Sequence, residues 1–349
     1  MLKRITKKCC FSLIASATAI LGQSEVSTVK ANQVVNLYSY RQPFLIKPFL
    51  DEFSKETGIK VNVVFAKKGM LQRLKAEGVN SPADAVLTVD ISRLDALREA
   101  KLLQPIKSIV LERNIPSQYR HPDGLWFGLT IRARVIYAHK TRIKPGEVVS
   151  YEDLAKPHLK GRICSRSGKH AYNLSLLASI IADKGEKAAT KWVLGVKNNL
   201  ARRPQGNDRA QVKAIKEGVC DVALGNTYYM GKMATNEKKP EQKIWAKSVK
   251  IVFPGQKDRG THVNISGAAV TRHSKNKENT IKFLEFLSKK FAQKMYADQN
   301  FEYPVGTDVE WHPLVASWGR FKADEINLNE ISKYRGVAAK IMDRVDFDG

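Results

Sequence analysis

Three tyrosines carry the chemistry that this sequence most directly supports. Tyr228 and Tyr229 stand side by side in ALGNTYYMGK, directly after the strand-like run Asp221 to Asn226. Tyr172 stands in SGKHAYNLS, just after a second strand-like run, Gly161 to Ser167. Both positions are strand-to-helix turns, which in an α/β fold gather at the lip of a cleft. A phenol, with a pKa of about 10, is a poor ligand while protonated. A hard, highly charged cation displaces the proton, because its attraction to phenolate oxygen outweighs the cost of deprotonation. Fe3+ fits this description, whereas softer divalent metals prefer imidazole or thiolate. Three phenolates neutralise a trivalent ion and leave coordination positions for an oxygen-donor anion. The plainer alternative is packing, with one ring in the core and its neighbour on the surface.

An anion beside the metal calls for an arginine, whose planar fork suits a carboxylate or carbonate better than an ammonium does. Arg132 and Arg134 in TIRARV alternate along a strand and point to the same side, so periodicity does not separate them. Arg41 in SYRQP is a third candidate. Enzyme chemistry finds no support: the chain has no Walker-A loop, no G-x-G-x-x-G after a strand, no H-E-x-x-H and no G-x-S-x-G elbow. Its seven histidines form no i, i+4 pair, which argues against zinc.

The elements that must position these residues read as two α/β series. VVNLYSY, PFLIKPFLDEFSKETG, KVNVVFA, the helix around Met70 to Glu77, and DAVLTVD give a β-α-β-α-β rhythm, which calls for a parallel sheet covered by helices. A second series runs from GRICSRS through AYNLSLLASIIADKG, KAATKWVLGVKNNL and DRAQVKAIKEG to the strand CDVALGN. Two long β-rich stretches, WFGLTIRARVIYAHK and NISGAAVTRHS, fit paired crossovers between two lobes. Such a layout permits hinge closure on a ligand.

At 349 residues and 43% apolar composition, two lobes are the natural expectation. Residues 1–31 read as a secretory signal: a basic start, an apolar run from Phe11 to Leu21, then Val29-Lys30-Ala31, placing the mature start at Asn32. Cys9 and Cys10 precede the apolar run, which argues against a lipoprotein cleavage site. Cys164 and Cys220 are then the two mature cysteines, free thiols or a disulfide in an oxidising compartment. The leader carries five cations and one anion, so its removal takes the net charge from +25 to +21. That charge favours anionic partners, yet no nucleic-acid-binding motif accompanies it.

The chain resembles the ferric-ion-binding proteins of bacterial iron ABC transporters, the bacterial transferrins. The resemblance is carried by NLYSYRQPFLIKP, FSKETGIKVNVVFA, SPADAVLTVDISRL, WFGLTIRARVIYA, RSGKHAYNLSL, RPQGNDRAQVKAIKEGVCDVALGNTYY and THVNISGAAV. It implies a periplasmic, monomeric, two-lobed α/β binding protein of the second type, with two crossover strands as hinge. The expected N-lobe is 32–131 with 264–305, and the C-lobe is 132–263. Residues 306–349 form a C-terminal helical segment on the C-lobe. By the resemblance, Tyr172, Tyr228 and Tyr229 fall on the three iron-binding tyrosines and Arg132 on the anion-contacting arginine. Many relatives carry a His-Tyr pair where this chain has Gln42-Pro43, which implies carbonate or bicarbonate as synergistic anion and Gln42 as its partner. The cargo would pass to an inner-membrane ABC permease and its ATPase, the only membrane contact expected. The rival reading is capture of a small organic or polyanionic solute.

Overall fold

The structure, a computed structural model, describes Gln33–Gly349; the expected secretory signal with Cys9 and Cys10 lies outside the described residues. The chain runs β1 (Val34–Ser39), α1 (Pro43–Thr57), β2 (Lys60–Phe65), α2 (Met70–Glu77), β3 (Ala85–Thr88), α3 (Ile91–Glu99) and α4 (Ile109–Asn114). The long strand β4 (Phe127–His139) leads to β5 (Ile163–Cys164), α5 (Ala171–Asn198), α6 (Asp208–Lys216), β6 (Val222–Asn226), α7 (Thr227–Ala234), α8 (Glu241–Ser248) and β7 (Val249–Val252). It closes with β8 (Val263–Val270), α9 (Lys277–Ser288), α10 (Lys290–Asn300), β9 (Tyr303–Pro304), α11 (Pro313–Ala316), α12 (Leu328–Lys333) and α13 (Arg335–Arg344).

Local sequence accounts for the main elements. In α1, Pro43 sits in the first turn, where its missing N–H costs nothing, and Gly58 ends the helix at φ 72° with its N–H on the Ser54 carbonyl. Ile46, Phe49, Leu50 and Phe53 form the buried stripe. The two helical runs expected after Tyr172 are one long element broken at Gly185, whose φ of 80° and ψ of 166° are not helical. The expected strand Gly161–Ser167 shrinks to Ile163–Cys164, because Ser165 onward turns toward α5.

β1 lies between β2 and β3, parallel to both, as the β-α-β-α-β rhythm requires. β3 pairs antiparallel with β8, and β8 with Phe127–Ala133 of β4. From Arg134 to Ala138 the same strand pairs instead with β6, which lies parallel to β5. The handover falls between Ala133 and Arg134, so the two alternating arginines flank the point where one sheet region gives way to the next. Cys164 and Cys220 are joined in a disulfide with Cα atoms 5.8 Å apart, tying the start of β6 to β5. The last segment does not rest on one half alone: α12 packs on both α5 and α3, and Asn327 donates to the Ser117 carbonyl.

Candidate functional site

No linker separates β6 from α7: Asn226 is the last strand residue, and Tyr228 and Tyr229 are the second and third residues of the helix. Two glycines let neighbouring rings approach this segment closely. A Cβ on Gly225 would lie 1.9 Å from the Tyr137 ring, and one on Gly231 would lie 2.3 Å from Phe301. Tyr137 uses the first approach to donate its hydroxyl to the Asn226 carbonyl at 2.5 Å. Tyr172 is the second residue of α5, where the His170 ring caps the helix by accepting its N–H at 3.2 Å and packs edge-on against its ring.

These two helix starts meet. The hydroxyls of Tyr172 and Tyr228 are 3.1 Å apart, and the rings of Tyr228 and Tyr229 lie 4.3 Å apart between centroids. All three are half-buried. Burial, then the neighbouring Tyr172 and Tyr229, push the Tyr228 phenol well above its ordinary value. Burial, then Tyr172 and Asp208, push Tyr229 up to about 12. Without a cation both phenols therefore keep their protons at neutral pH.

A cavity of about 170 Å³ opens at this point, lined by Tyr172, Tyr228, Arg132, Arg41, Gln42 and Lys232, among others. Tyr229 is outside the lining, its ring tilted 36° to that of Tyr228, with the Arg209 guanidinium 5.4 Å from its ring centre. The alternation argument for Arg132 and Arg134 holds in direction, since their guanidiniums lie 5.5 and 5.8 Å from the Tyr172 ring centre. Their partners differ. Arg132 reaches Asp90 at 3.1 Å and still lines the cavity. Arg134 is consumed by Asp208, Asn226 and Asn173 at 2.8, 3.2 and 2.7 Å.

Arg41 lines the cavity but donates to buried Glu302 at 2.9 Å and to Ser266 at 2.8 Å. Gln42 is exposed, at the start of α1. Tyr38 on β1 and Tyr40 just past its end part company. Tyr38 is fully buried with its hydroxyl on Glu77 at 2.7 Å, whereas Tyr40 borders the cavity with Arg93 over its ring at 4.0 Å.

Four further side chains around the tyrosines escaped the sequence reading. Fully buried Asp208 accepts from Arg134 and Arg166, each at 2.8 Å, and from the Asn226 N–H at 2.9 Å. Through Arg134 it also holds Asn173, the residue after Tyr172, so one carboxylate fixes both tyrosine-bearing helix starts. Arg166 lies 5.1 Å from the Tyr172 ring centre. Lys232 follows Tyr228 by four residues, a helical turn that puts the two on one face, with its ammonium 5.7 Å from the ring centre. That spacing was legible. Burial pushes Lys232 down. Glu302 had no sequence signal, since only the fold brings it to Arg41. Burial works to raise its carboxyl, but Arg41, Arg132 and Lys232 outweigh this and hold it below the usual range.

Among the described residues no group of three or more His, Cys, Asp or Glu is placed to hold a metal ion. Phenol oxygens are the hard donors that converge here. No helix among the described residues is long and apolar enough to cross a membrane.

Comparison with known proteins agrees over nearly the whole chain. Iron uptake protein A1 of Synechocystis sp. is 42% identical over 98% of this chain and 98% of its own length. The apo ferric ion-binding protein A of Pasteurella haemolytica is 52% identical, with a TM-score of 0.84 over 91% of this chain and 99% of that one. A Trichodesmium protein solved in complex with iron and citrate ligands is 44% identical, with a TM-score of 0.87 over 90% of this chain and 99% of that one. The fold is the type II periplasmic-binding-protein fold. The bacterial extracellular solute-binding protein signature matches residues 80–323, and the chain belongs to that family.

Proposed function

We propose that this protein captures Fe3+ through Tyr172, Tyr228 and Tyr229, with a carbonate-type anion held at Arg132, and delivers it in the periplasm to an ABC permease and its ATPase. The observation that carries the reading is the 3.1 Å separation of the Tyr172 and Tyr228 hydroxyls. A six-coordinate hard cation with oxygen bonds of about 2 Å sets adjacent ligand oxygens about 3 Å apart. Iron in the name of the Synechocystis relative, and iron in the Trichodesmium complex, support the same cargo.

The role is binding, with no catalytic step. Both Arg132 and Arg41 line the cavity and pair with a buried carboxylate, but Arg41 also donates to Ser266, so Arg132, held by Asp90, is the natural anion partner. Gln42 would close over the anion from the other side. The cavity, about 170 Å³, is well below the roughly 300–1,000 Å³ of pockets that enclose larger organic ligands. That size favours a metal with a small anion over a bulky solute. In this reading β4 and β8 are the hinge between a lobe of 32–131 with 264–305 and a lobe of 132–263, and the protein works as a monomer.

The test is titration of the purified apo protein with a ferric salt in bicarbonate, and separately with ferric citrate, following the visible phenolate-to-iron band. A band in bicarbonate at one iron per chain is expected. A protein colourless in both solutions sinks the iron reading, and a band with citrate alone replaces carbonate as the anion.

A further inference from the structure

A larger hollow lies on the back of the tyrosine helix. On α7, Met230 and Ala234 are four residues apart and share one face, about 200° around the helix from Tyr228 and Lys232. They form part of a groove of about 580 Å³, walled by α7, α8, β7 and the α11 region. Its apolar surface comes from Met230, Ile251, Leu314 and Trp318, and its charge from Lys140, Lys243, Lys247 and Lys250. The lining contains no carboxylate.

The lysines differ in what they already hold. Lys243 pairs with exposed Glu237, and Lys250 donates to the Ile143 carbonyl at 3.3 Å. Lys140 and Lys247 are exposed and have no ion-pair partner among the described residues. Two unpaired ammonium groups beside an indole and aliphatic side chains complement a molecule with a negative end and an apolar body. A second groove, of about 500 Å³ along α5, contains Glu152 paired to Lys184 at 3.2 Å and so lacks this one-sided charge.

We propose that the α7–α8 groove binds an amphipathic organic anion, its negative group on Lys140 and Lys247 and its apolar body on Trp318, Leu314 and Met230. The site is separate from the tyrosine cavity and stands whether or not that cavity takes iron.

The test is fluorescence titration of the intact protein with 8-anilinonaphthalene-1-sulfonate, an anionic probe with an apolar body. Saturable binding at one site is expected. The double variant Lys140→Glu, Lys247→Glu should weaken it by about tenfold or more, and the double arginine variant should retain it. Both lysines are exposed, so the reversal leaves the fold intact, which an unchanged thermal midpoint checks. Trp318→Ala should also weaken the probe, while Leu194→Asp in the second groove should not. Competition then separates two sources of the same chemistry: displacement by decanoate assigns the groove to free carboxylates, and displacement only by phosphatidylglycerol vesicles assigns it to lipid. The proposal is overturned if charge reversal leaves the titration unchanged, if Leu194→Asp matches its effect, or if neither competitor displaces the probe.

Discussion

The two walls of the tyrosine cavity are built on different principles. On one wall, Tyr172 and Tyr228 stand at the starts of α5 and α7, and Asp208 ties both starts to Arg134 through buried hydrogen bonds of 2.7–3.2 Å. On the other, Gln42 at the start of α1 is exposed, while Arg41 is held by buried Glu302 and Ser266 and Arg132 by buried Asp90. A metal site needs its ligands held within a fraction of an ångström by a supporting shell, and the phenols of the first wall have one. In the proposed function, the difference would leave donor geometry to the tyrosine wall, with the facing wall covering the site and contacting the anion.

The strongest way to break that comparison is to remove a donor from the rigid wall. Tyr228→Phe should weaken ferric binding by about a hundredfold or more and abolish most of the visible band. Folding should be little changed, because the lost hydroxyl bonds only to the neighbouring phenols of Tyr172 and Tyr229. Competition with citrate measures the affinity, and urea unfolding of the apo protein checks stability. An affinity within a few-fold of wild type would remove Tyr228 from the site.

Next in size is the support beneath the tyrosines. Asp208→Ala leaves the Arg134 and Arg166 guanidiniums buried without their carboxylate, a loss of about 3–5 kcal/mol in unfolding free energy. Asp208→Asn keeps the shape and should lose less stability while still loosening both helix starts. Its signature is a shifted or broadened iron band with all three tyrosines in place, which a purely structural role would not produce.

Proton release separates the walls by charge. Burial keeps the Tyr228 and Tyr229 phenols protonated at neutral pH, Tyr229 with a value of about 12, so a cation must expel those protons. Affinity should fall as pH falls, because the raised values favour the protonated form throughout the acidic range. Each proton expelled contributes about tenfold per pH unit. Tyr228→Phe should release one proton fewer per iron than wild type, measured with an indicator in weak buffer, and a Gln42 variant should release the same number.

Much of this was legible from local sequence, and the missing parts share a cause. The β-α-β-α-β rhythm, the α1 stripe and the strand-to-helix settings of the tyrosines follow from periodicity and turn chemistry confined to short windows. The exchange of partners along β4 does not, because a strand pairing with β8 in one half and β6 in the other reads as one long β-rich stretch. Arg132 and Arg134 show the limit well. Alternation gives their common side, but what separates them is Asp90 for one and Asp208 for the other, each reached only when distant strands assemble. Asp208 itself opens α6 like any acidic first-turn residue, and Glu302 meets Arg41 across 261 positions.

The smallest expected effect sharpens the comparison from the facing wall. Gln42 is exposed, and its side chain makes no capping bond to α1, so Gln42→Ala should leave the unfolding midpoint unchanged. If it only hydrogen-bonds the anion once iron is bound, the loss is that of one neutral hydrogen bond, about 0.5–1.5 kcal/mol, or roughly twofold to tenfold in affinity. The loss should appear in bicarbonate and leave the visible band in place, since no metal donor is removed. Loss of the band in Gln42→Ala would show that the exposed wall supplies a metal donor and overturn the assignment of coordination to the tyrosine wall.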